Sequence, residues 1–233
     1  FSLTDAIESG IVKVPRVPVA DNTDPSENPT YRNLWAHIGK DMPKGRGSKD
    51  DSQREPVLPK ELQGALHSLY SHYEKAYQQW QAQVKEYPAL MPPVFIVVCN
   101  NTRASKLVFD YLAGWEKPLP APDPATGQST VRVPGALPIF SNVEDGRWSS
   151  RPNTLLIDSR QLESGEALSD DFKEAAAPEI EEFQAEMRQR YPGRNVEEVT
   201  TEDLLREVMN TVGKRHKLGE RIKCVVSVSM LTE

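Results

Sequence analysis

Residues 93–114 read P-V-F-I-V-V-C-N-N-T-R-A-S-K-L-V-F-D-Y-L-A-G, and this stretch decides the fold class. An uninterrupted apolar run at residues 94–99 ends in two asparagines, after which apolar residues recur with helical spacing at positions 107, 108, 111 and 112. Continuous β-branched runs are typical of strands that helices cover on both faces of a parallel sheet. We therefore predict a strand buried on both faces, a polar turn and a helix.

The polar turn is the first candidate binding site. In open α/β sheets, ligands bind beyond the carboxyl ends of the strands, where the first turn of the next helix presents unpaired N–H groups. Asn100, Asn101 and Thr102 occupy that position. The ordinary alternative is turn and cap chemistry, in which Asn100 simply caps the helix.

Two further apolar runs predict strands, T-L-L-I at residues 154–157 and a longer run at residues 222–231. Helical patterns occupy the intervals between the three predicted strands. The resulting order of strand, helix, strand, helices and strand is a βαβαβ pattern, which predicts a parallel sheet with right-handed crossovers. The fold class is therefore α/β, a parallel sheet with flanking helices.

The predicted helices have clear patterns and boundaries. An apolar stripe over residues 62–84 indicates a long amphipathic helix, entered through Pro59, that should pack one face against the sheet. A second pattern runs through residues 170–187. The last helix begins at Thr200, where Asp203 three residues later gives a capping-box signal.

Proline-rich and polar segments set the predicted domain boundaries. Residues 1–58 are predicted to be a connector and irregular segment, and residues 59–233 the α/β domain. Within that domain, residues 115–150 are predicted to be a proline-rich insertion. The part that contains P-L-P-A-P-D-P should lack regular secondary structure, apart from a short hairpin at residues 131–133.

Composition bounds the class of protein. The chain has 233 residues and a formal charge of −6, so no overall basic field indicates nucleic acid, and such binding would need a local site. The two cysteines form no C-x-x-C motif, which suggests a reducing compartment and no zinc site. No apolar run approaches the roughly 20 residues that cross a bilayer. We predict a cytoplasmic protein without a membrane partner.

The two ends of the chain suggest that it belongs to something longer. It begins without an initiating methionine, and it stops at Glu233 directly after a strand-like run. Because a domain rarely ends on a buried strand, we expect a piece of a longer polypeptide.

Several catalytic motifs are absent from the sequence. It has no Walker A loop, no G-x-G-x-x-G after a strand, no G-x-S-x-G elbow and no H-E-x-x-H. Acid and lysine matches to a metal-dependent nuclease occur at residues 122–123 and 171–173, but they fall in a proline loop and a predicted helix. We assign no catalytic residue and no metal ligand.

One basic cluster, Lys214, Arg215, His216, Lys217, Arg221 and Lys223, lies between the last helix and the last strand. It could contact phosphates without sequence preference. The favoured interpretation is a solvated face whose cations interact with a helix carboxyl terminus. The cluster precedes the final strand and so lies at the amino end of the sheet, away from Asn100.

Four segments resemble a known family. They are S-L-T-D-A-I-E-S-G-I-V-K-V-P-R-V-P-V at residues 2–19, V-F-I-V-V-C-N-N-T at 94–102, T-L-L-I-D-S-R-Q-L-E-S-G-E at 154–166, and the whole of 208–233. Together they resemble the restriction (Res) subunit of type III restriction-modification systems, a superfamily-two, helicase-like DNA motor. The resemblance touches nearly the whole chain, and its last segment is the most specific.

The resemblance implies two RecA-like motor domains that clasp ATP and Mg²⁺, with a nuclease domain beyond them. This chain resembles the tether and most of the second motor domain, an incomplete RecA-like unit. The Walker A and Mg²⁺-binding motifs would precede Phe1, so the fragment alone would bind no cofactor and hydrolyse no ATP. The implied partners are DNA, the first motor domain of the same polypeptide and a modification (methyltransferase) subunit.

The resemblance also implies roles for residues at two strand ends. Residues 94–102 resemble the motif whose polar end contacts the nucleic-acid backbone, and residues 229–233 resemble the start of the motif that couples DNA to ATP. The implied nucleic-acid-binding residues are Asn100, Asn101, Thr102 and Thr232, with Glu233 at the ATP cleft.

A different class of function stays open. The chain could be a non-catalytic α/β module whose acidic surface and proline-rich loop bind protein.

Overall fold

The centre of the fold is a three-stranded parallel sheet in a computed structural model that describes residues 34–43, 55–122, 127–157, 170–190 and 199–228. With strands numbered along the chain, the sheet consists of β1 (Phe95–Cys99), β6 (Thr154–Ile157) and β7 (Cys224–Val228). The last strand, β7, lies between the other two, in the order β1-β7-β6. The predicted α/β class, with a parallel sheet, is confirmed.

Six α-helices lie in the described ranges. They are α1 (Leu34–Ile38), α2 (Lys60–Gln83), α3 (Thr102–Ala113), α4 (Asp170–Ala175), α5 (Ala177–Arg190) and α6 (Thr201–Asn210). The capping box predicted at the start of α6 is present. The Thr200 hydroxyl accepts from the Asp203 N–H, while the Asp203 carboxylate accepts from the Thr200 N–H.

One face of the sheet packs against α2 and α3. Leu66, Tyr70 and Tyr73 of α2 join Val108 and Leu112 of α3 in a core cluster with β6 and β7 side chains. The long helix thus packs one face on the sheet, as its spacing predicted, but Leu69 of the predicted apolar stripe is 53% exposed and Tyr70 is buried instead.

The opposite face is covered by α4, α6 and the loop before β7. Phe172 and Leu205 pack there with β6 and β7 side chains in a second core cluster. Because strand side chains alternate between faces, β6 and β7 divide their residues between the two clusters and are buried throughout.

The prediction that the first strand is buried on both faces is wrong. Ile96 and Val98 are 62% and 53% exposed, whereas Phe95 and Val97 pack on the α2 and α3 side. The reason is position, since β1 has β7 on one side only in the described residues, and α6 does not extend over it. A continuous apolar run therefore marks an edge strand here.

The proline-rich region is more regular than predicted. Strand β2 (Gly114–Pro118) follows α3 directly and pairs antiparallel with β3 (Thr130–Pro134). A 3-10 turn (Pro138–Phe140) and the tight hairpin of β4 (Val143–Glu144) and β5 (Arg147–Trp148) follow. Proline has no N–H to donate to a neighbouring strand. Because Pro118 and Pro134 lie at the ends of β2 and β3, few hydrogen bonds are lost and the antiparallel pairing is retained.

The predicted insertion also contributes to the core. Leu137 and Phe140 are fully buried in the α2 and α3 cluster. The Tyr70 hydroxyl accepts a hydrogen bond from the Ile139 N–H at 3.2 Å, which fixes the turn on the long helix.

Part of the predicted connector packs on the α/β unit. Ile38 and Met42 are buried against Ala104 in the first turn of α3. None of the helices in the described ranges is long and apolar enough to cross a membrane.

Candidate nucleic-acid interface

The carboxyl ends of β1 and β7 lie side by side. The two strands pair in parallel with Cys99 opposite Val228, so the chain leaves both strands at the same edge of the sheet. Asn100 is the first residue after β1. Thr232 and Glu233 follow β7 in the sequence, but they lie outside the described residues.

Asn101 is the cap of α3, the role that the sequence allowed for Asn100. Its backbone is extended, and its side-chain Oδ1 accepts from the Ala104 N–H at 2.9 Å. Its Nδ2 donates to the Asn100 Oδ1 at 2.9 Å and to the Pro43 carbonyl at 3.3 Å. The Asn101 amide is therefore engaged by the protein itself, whereas Asn100 remains exposed.

Thr102 is the first residue of α3 and is half-buried. The first N–H groups of a helix have no partner in its hydrogen-bond ladder, and they carry the positive end of the helix dipole. The Thr102 backbone and hydroxyl are thus placed where a phosphate oxygen could be bound. The structure brings Asn100, Asn101 and Thr102 together at one strand end.

The opposite end of the sheet holds a buried polar network that the sequence did not predict. The Asn142 Oδ1 accepts from the N–H groups of Asn153 and Thr154, each at 2.8 Å, and its Nδ2 donates to the Thr154 carbonyl at 2.8 Å. The Asn153 Nδ2 donates to the Ser141 carbonyl at 2.7 Å. These bonds tie the start of β6 to the loop before β4.

Lys223 completes this network. Its Nζ donates to the Asn153 Oδ1 at 2.7 Å and lies 5.7 Å from the centre of the Tyr77 ring. The only signal in the sequence was the pair of polar dipeptides, at 141–142 and 153–154, beside apolar runs. Such pairs are common in loops, so they could not have identified a buried network.

The basic cluster lies at this amino end, as predicted, and part of its charge is compensated. The Lys217 Nζ contacts Glu186 at 2.5 Å and Glu182 at 3.1 Å, both on α5. The hydrogen bonds that the Lys217 ammonium donates to these two carboxylates raise the pKa of Lys217. Lys214 and Arg215 are exposed. A helix of acidic residues thus faces the cluster.

The two cysteines are free thiols inside the sheet. Burial raises the pKa of Cys99 to about 11 and that of Cys224 to about 12, so both stay protonated at neutral pH. They pack as small apolar side chains and offer no nucleophile.

Groups of three or more His, Cys, Asp or Glu side chains that could hold a metal ion are not found within the described ranges. A comparison with protein-family models, curated proteins and solved structures finds no match to the chain.

Proposed function

We propose that this chain is the tether and most of the second RecA-like domain of an ATP-dependent DNA translocase of the type III restriction kind. It would contribute DNA-backbone contacts and half of an ATP cleft. The observation that carries the proposal is the parallel pairing of β1 with β7, which brings the carboxyl ends of the two strands, at Cys99 and Val228, to the same edge of the sheet.

The spacing of the two strand ends suits one nucleic-acid strand. Neighbouring strands of a sheet lie about 4.8 Å apart. Thr232 follows Val228 by four residues, so it can lie at most about 14 Å from that strand end. Thr102 and Thr232 could thus reach the same stretch of backbone.

The chemistry at this edge suits phosphate rather than bases. A hydroxyl and an unpaired N–H at a helix start bind phosphate oxygens and carry no sequence information. A translocase needs such contacts because it must hold every sequence that it passes. Asn101 would act indirectly, since its cap fixes the first turn of α3 on which Thr102 lies.

ATP and Mg²⁺ would be held chiefly by the first motor domain, with Glu233 facing the cleft from this side. Closure of the two domains around ATP, and their opening after hydrolysis, would change the separation between the backbone contacts of the two domains. On this proposal Thr102 and Thr232 hold the DNA during each step.

The test is the DNA-stimulated ATPase activity of the full polypeptide that carries this chain and its first motor domain. A hydrogen bond to a charged group is worth about 1.5–3 kcal/mol, so Thr102→Ala and Thr232→Ala should each lower the stimulated rate at limiting DNA roughly tenfold or more. Thr130→Ala, at the start of β3, is the matched control and should have no effect. Unchanged stimulation in both variants would sink the proposal.

A second candidate, a protein-interaction module, is favoured by the exposed edge of β1. Ile96 and Val98 there form an apolar face on an edge strand, and edge strands readily pair with another chain. This candidate predicts that the full polypeptide has no DNA affinity at low salt and no dependence on purine nucleotides. DNA affinity at low salt, or dependence on purine nucleotides, would instead favour the DNA translocase.

A further inference from the structure

The outer edge of β1 presents backbone hydrogen-bonding groups away from the sheet. The Phe95 N–H donates to the Lys223 carbonyl at 2.8 Å, so the backbone of Phe95 faces β7. Because successive N–H and C=O groups of a strand point to alternate sides, those of Ile96 and Val98 point away from β7. Within the described ranges, no strand pairs with β1 on that side. Ile96 and Val98 therefore place their donors and acceptors at this edge.

The side chains along this edge are apolar and uncharged. Ile96 and Val98 are both more than half exposed. No charged residue occurs from Tyr87 to Thr102, and β1 itself contains no proline. Charged side chains and prolines are the usual devices that keep edge strands from pairing. This edge thus has nothing to select a charged partner and nothing to repel a copy of itself.

We propose that this edge binds the same edge of a second copy of the chain, antiparallel and about a two-fold axis at Val97. In this register Ile96 lies opposite the partner's Val98, and Val98 lies opposite the partner's Ile96. The residues that meet are thus the ones whose backbone groups point outward. Each pair exchanges two backbone hydrogen bonds and sets two β-branched side chains beside each other on one face of the sheet.

The strand is self-complementary in this register and in few others. A shift by one residue would set Ile96 opposite the partner's Val97, whose backbone faces its own β7. A two-fold contact uses the same surface on both chains, so the exposed apolar pair is matched twice. The three strands β6, β7 and β1 would continue across the axis into the partner's sheet. The contact is small, so we expect it to dissociate between about 1 µM and 1 mM.

Cysteine cross-linking tests the register. One preparation of the 233-residue chain carries Ile96→Cys and another carries Val98→Cys, both with Cys99→Ala to remove the neighbouring thiol. Opposed residues of a hydrogen-bonded pair lie about 5.5 Å apart between Cα atoms, within disulfide range, whereas diagonal residues lie at about 7–8 Å. Mild oxidation should therefore link chains in the mixture and link few in either preparation alone. No linkage in the mixture, or equal linkage in all three samples, would overturn the proposal.

Sedimentation tests the association itself. The unaltered chain should show a monomer–dimer equilibrium, and Ile96→Lys should weaken it at least tenfold, because a charge is placed at the paired edge. Val131→Lys, at an exposed apolar position of β3, is the matched control and should leave the equilibrium unchanged. Circular dichroism of both variants shows that the fold is retained. A chain that stays monomeric up to about 1 mM, or equal weakening in both variants, would overturn the proposal.

Amide hydrogen exchange distinguishes a second copy from another segment of the same chain. The Phe95 and Val97 amides face β7 and should be protected at every protein concentration. The Ile96 and Val98 amides should become protected only as the concentration rises through the range in which dimers form. Protection that does not depend on concentration would mean that the chain itself pairs with this edge. That result, or no protection at the highest concentration, would overturn the proposal.

Discussion

Val98 on the edge strand lies directly opposite Ser227 on the central strand, yet Val98 is 53% exposed and Ser227 is fully buried. The Ser227 hydroxyl has no hydrogen-bond partner within the described part of the chain. The apolar residue of this pair thus faces water and the polar one is buried, the reverse of the usual distribution. Both positions lead to predictions.

Ser227→Ala should stabilise the protein. A buried hydroxyl without a partner costs about 1–3 kcal/mol of desolvation, and its removal leaves only a small void. We expect the free energy of unfolding in urea to rise by up to about 1 kcal/mol, after the loss of packing is included. Unfolding followed by tryptophan fluorescence measures the change.

Thr154→Val is the matched control for a buried hydroxyl that does have a partner. The Thr154 Oγ1 donates to the Phe140 carbonyl at 2.6 Å, so the substitution should lower the free energy of unfolding by about 1–3 kcal/mol. If both variants were equally destabilised, the hydroxyl of Ser227 would have to be bonded in solution.

Ile96→Thr and Val98→Thr should leave the stability almost unchanged. Both side chains are more than half exposed, and surface substitutions usually alter the free energy of unfolding by less than about 0.5 kcal/mol. Val226→Thr makes the same replacement as Val98→Thr, but at a fully buried position of β7. It should lower the free energy of unfolding by about 1–3 kcal/mol, because it buries a hydroxyl.

The same variants test whether the edge promotes association. A β1 edge without charges or proline invites pairing between chains, so Ile96→Thr and Val98→Thr should reduce self-association in sedimentation experiments. A Val98→Thr variant as unstable as Val226→Thr would show that another part of the chain covers this face.

The sequence was sufficient to predict individual helices and strands, but it was not sufficient to predict the order of the strands in the sheet. Local patterns predicted the long helix and the strand at residues 154–157, because periodicity and caps are local properties. That β7 lies between β1 and β6 depends on packing among distant segments, and no local pattern encodes it. The edge position of β1, and hence the exposure of Ile96, follows from that order.

The candidate site was predictable to a similar degree. The position of Asn100, Asn101 and Thr102 at a strand end followed from the pattern. The choice of Asn101 as the cap did not, because it depends on where the chain turns and on the Pro43 carbonyl, 58 residues away. The Asn142 network was unpredictable for the same reason, since it joins loops that meet only in the folded protein.

Asn101→Ala should destabilise the protein by about 1 kcal/mol, the usual cost of losing an N-cap. Asn101→Asp keeps the acceptor for the Ala104 N–H and loses only the amide donors to Asn100 and Pro43, so it should cost less. Asn100→Ala, at the exposed neighbour, is the control and should change the free energy of unfolding by less than about 0.5 kcal/mol. Equal losses in the Ala and Asp variants would mean that the contact with Pro43 matters more than the cap.

Asp110 should make the protein less stable as the pH rises through the acidic range. Its carboxyl is buried on α3, and burial raises its pKa above 3.8, although the ion pair with Lys106 opposes this shift. The folded state therefore holds the proton more tightly than the unfolded state, so this contribution to stability is complete below about pH 3.8 and is lost as the pH rises through the raised pKa.

Asp110→Asn removes the buried charge and should raise the free energy of unfolding at pH 7 by about 1 kcal/mol, a gain that shrinks toward pH 4. Lys106→Met leaves the Asp110 carboxylate without its ion-pair partner. This variant should lower the free energy of unfolding, and the decrease should be largest at pH 7. Urea unfolding of the three proteins between pH 4 and 7 measures both trends, and an Asp110→Asn variant that loses stability at pH 7 would show that the ion pair outweighs the cost of burial.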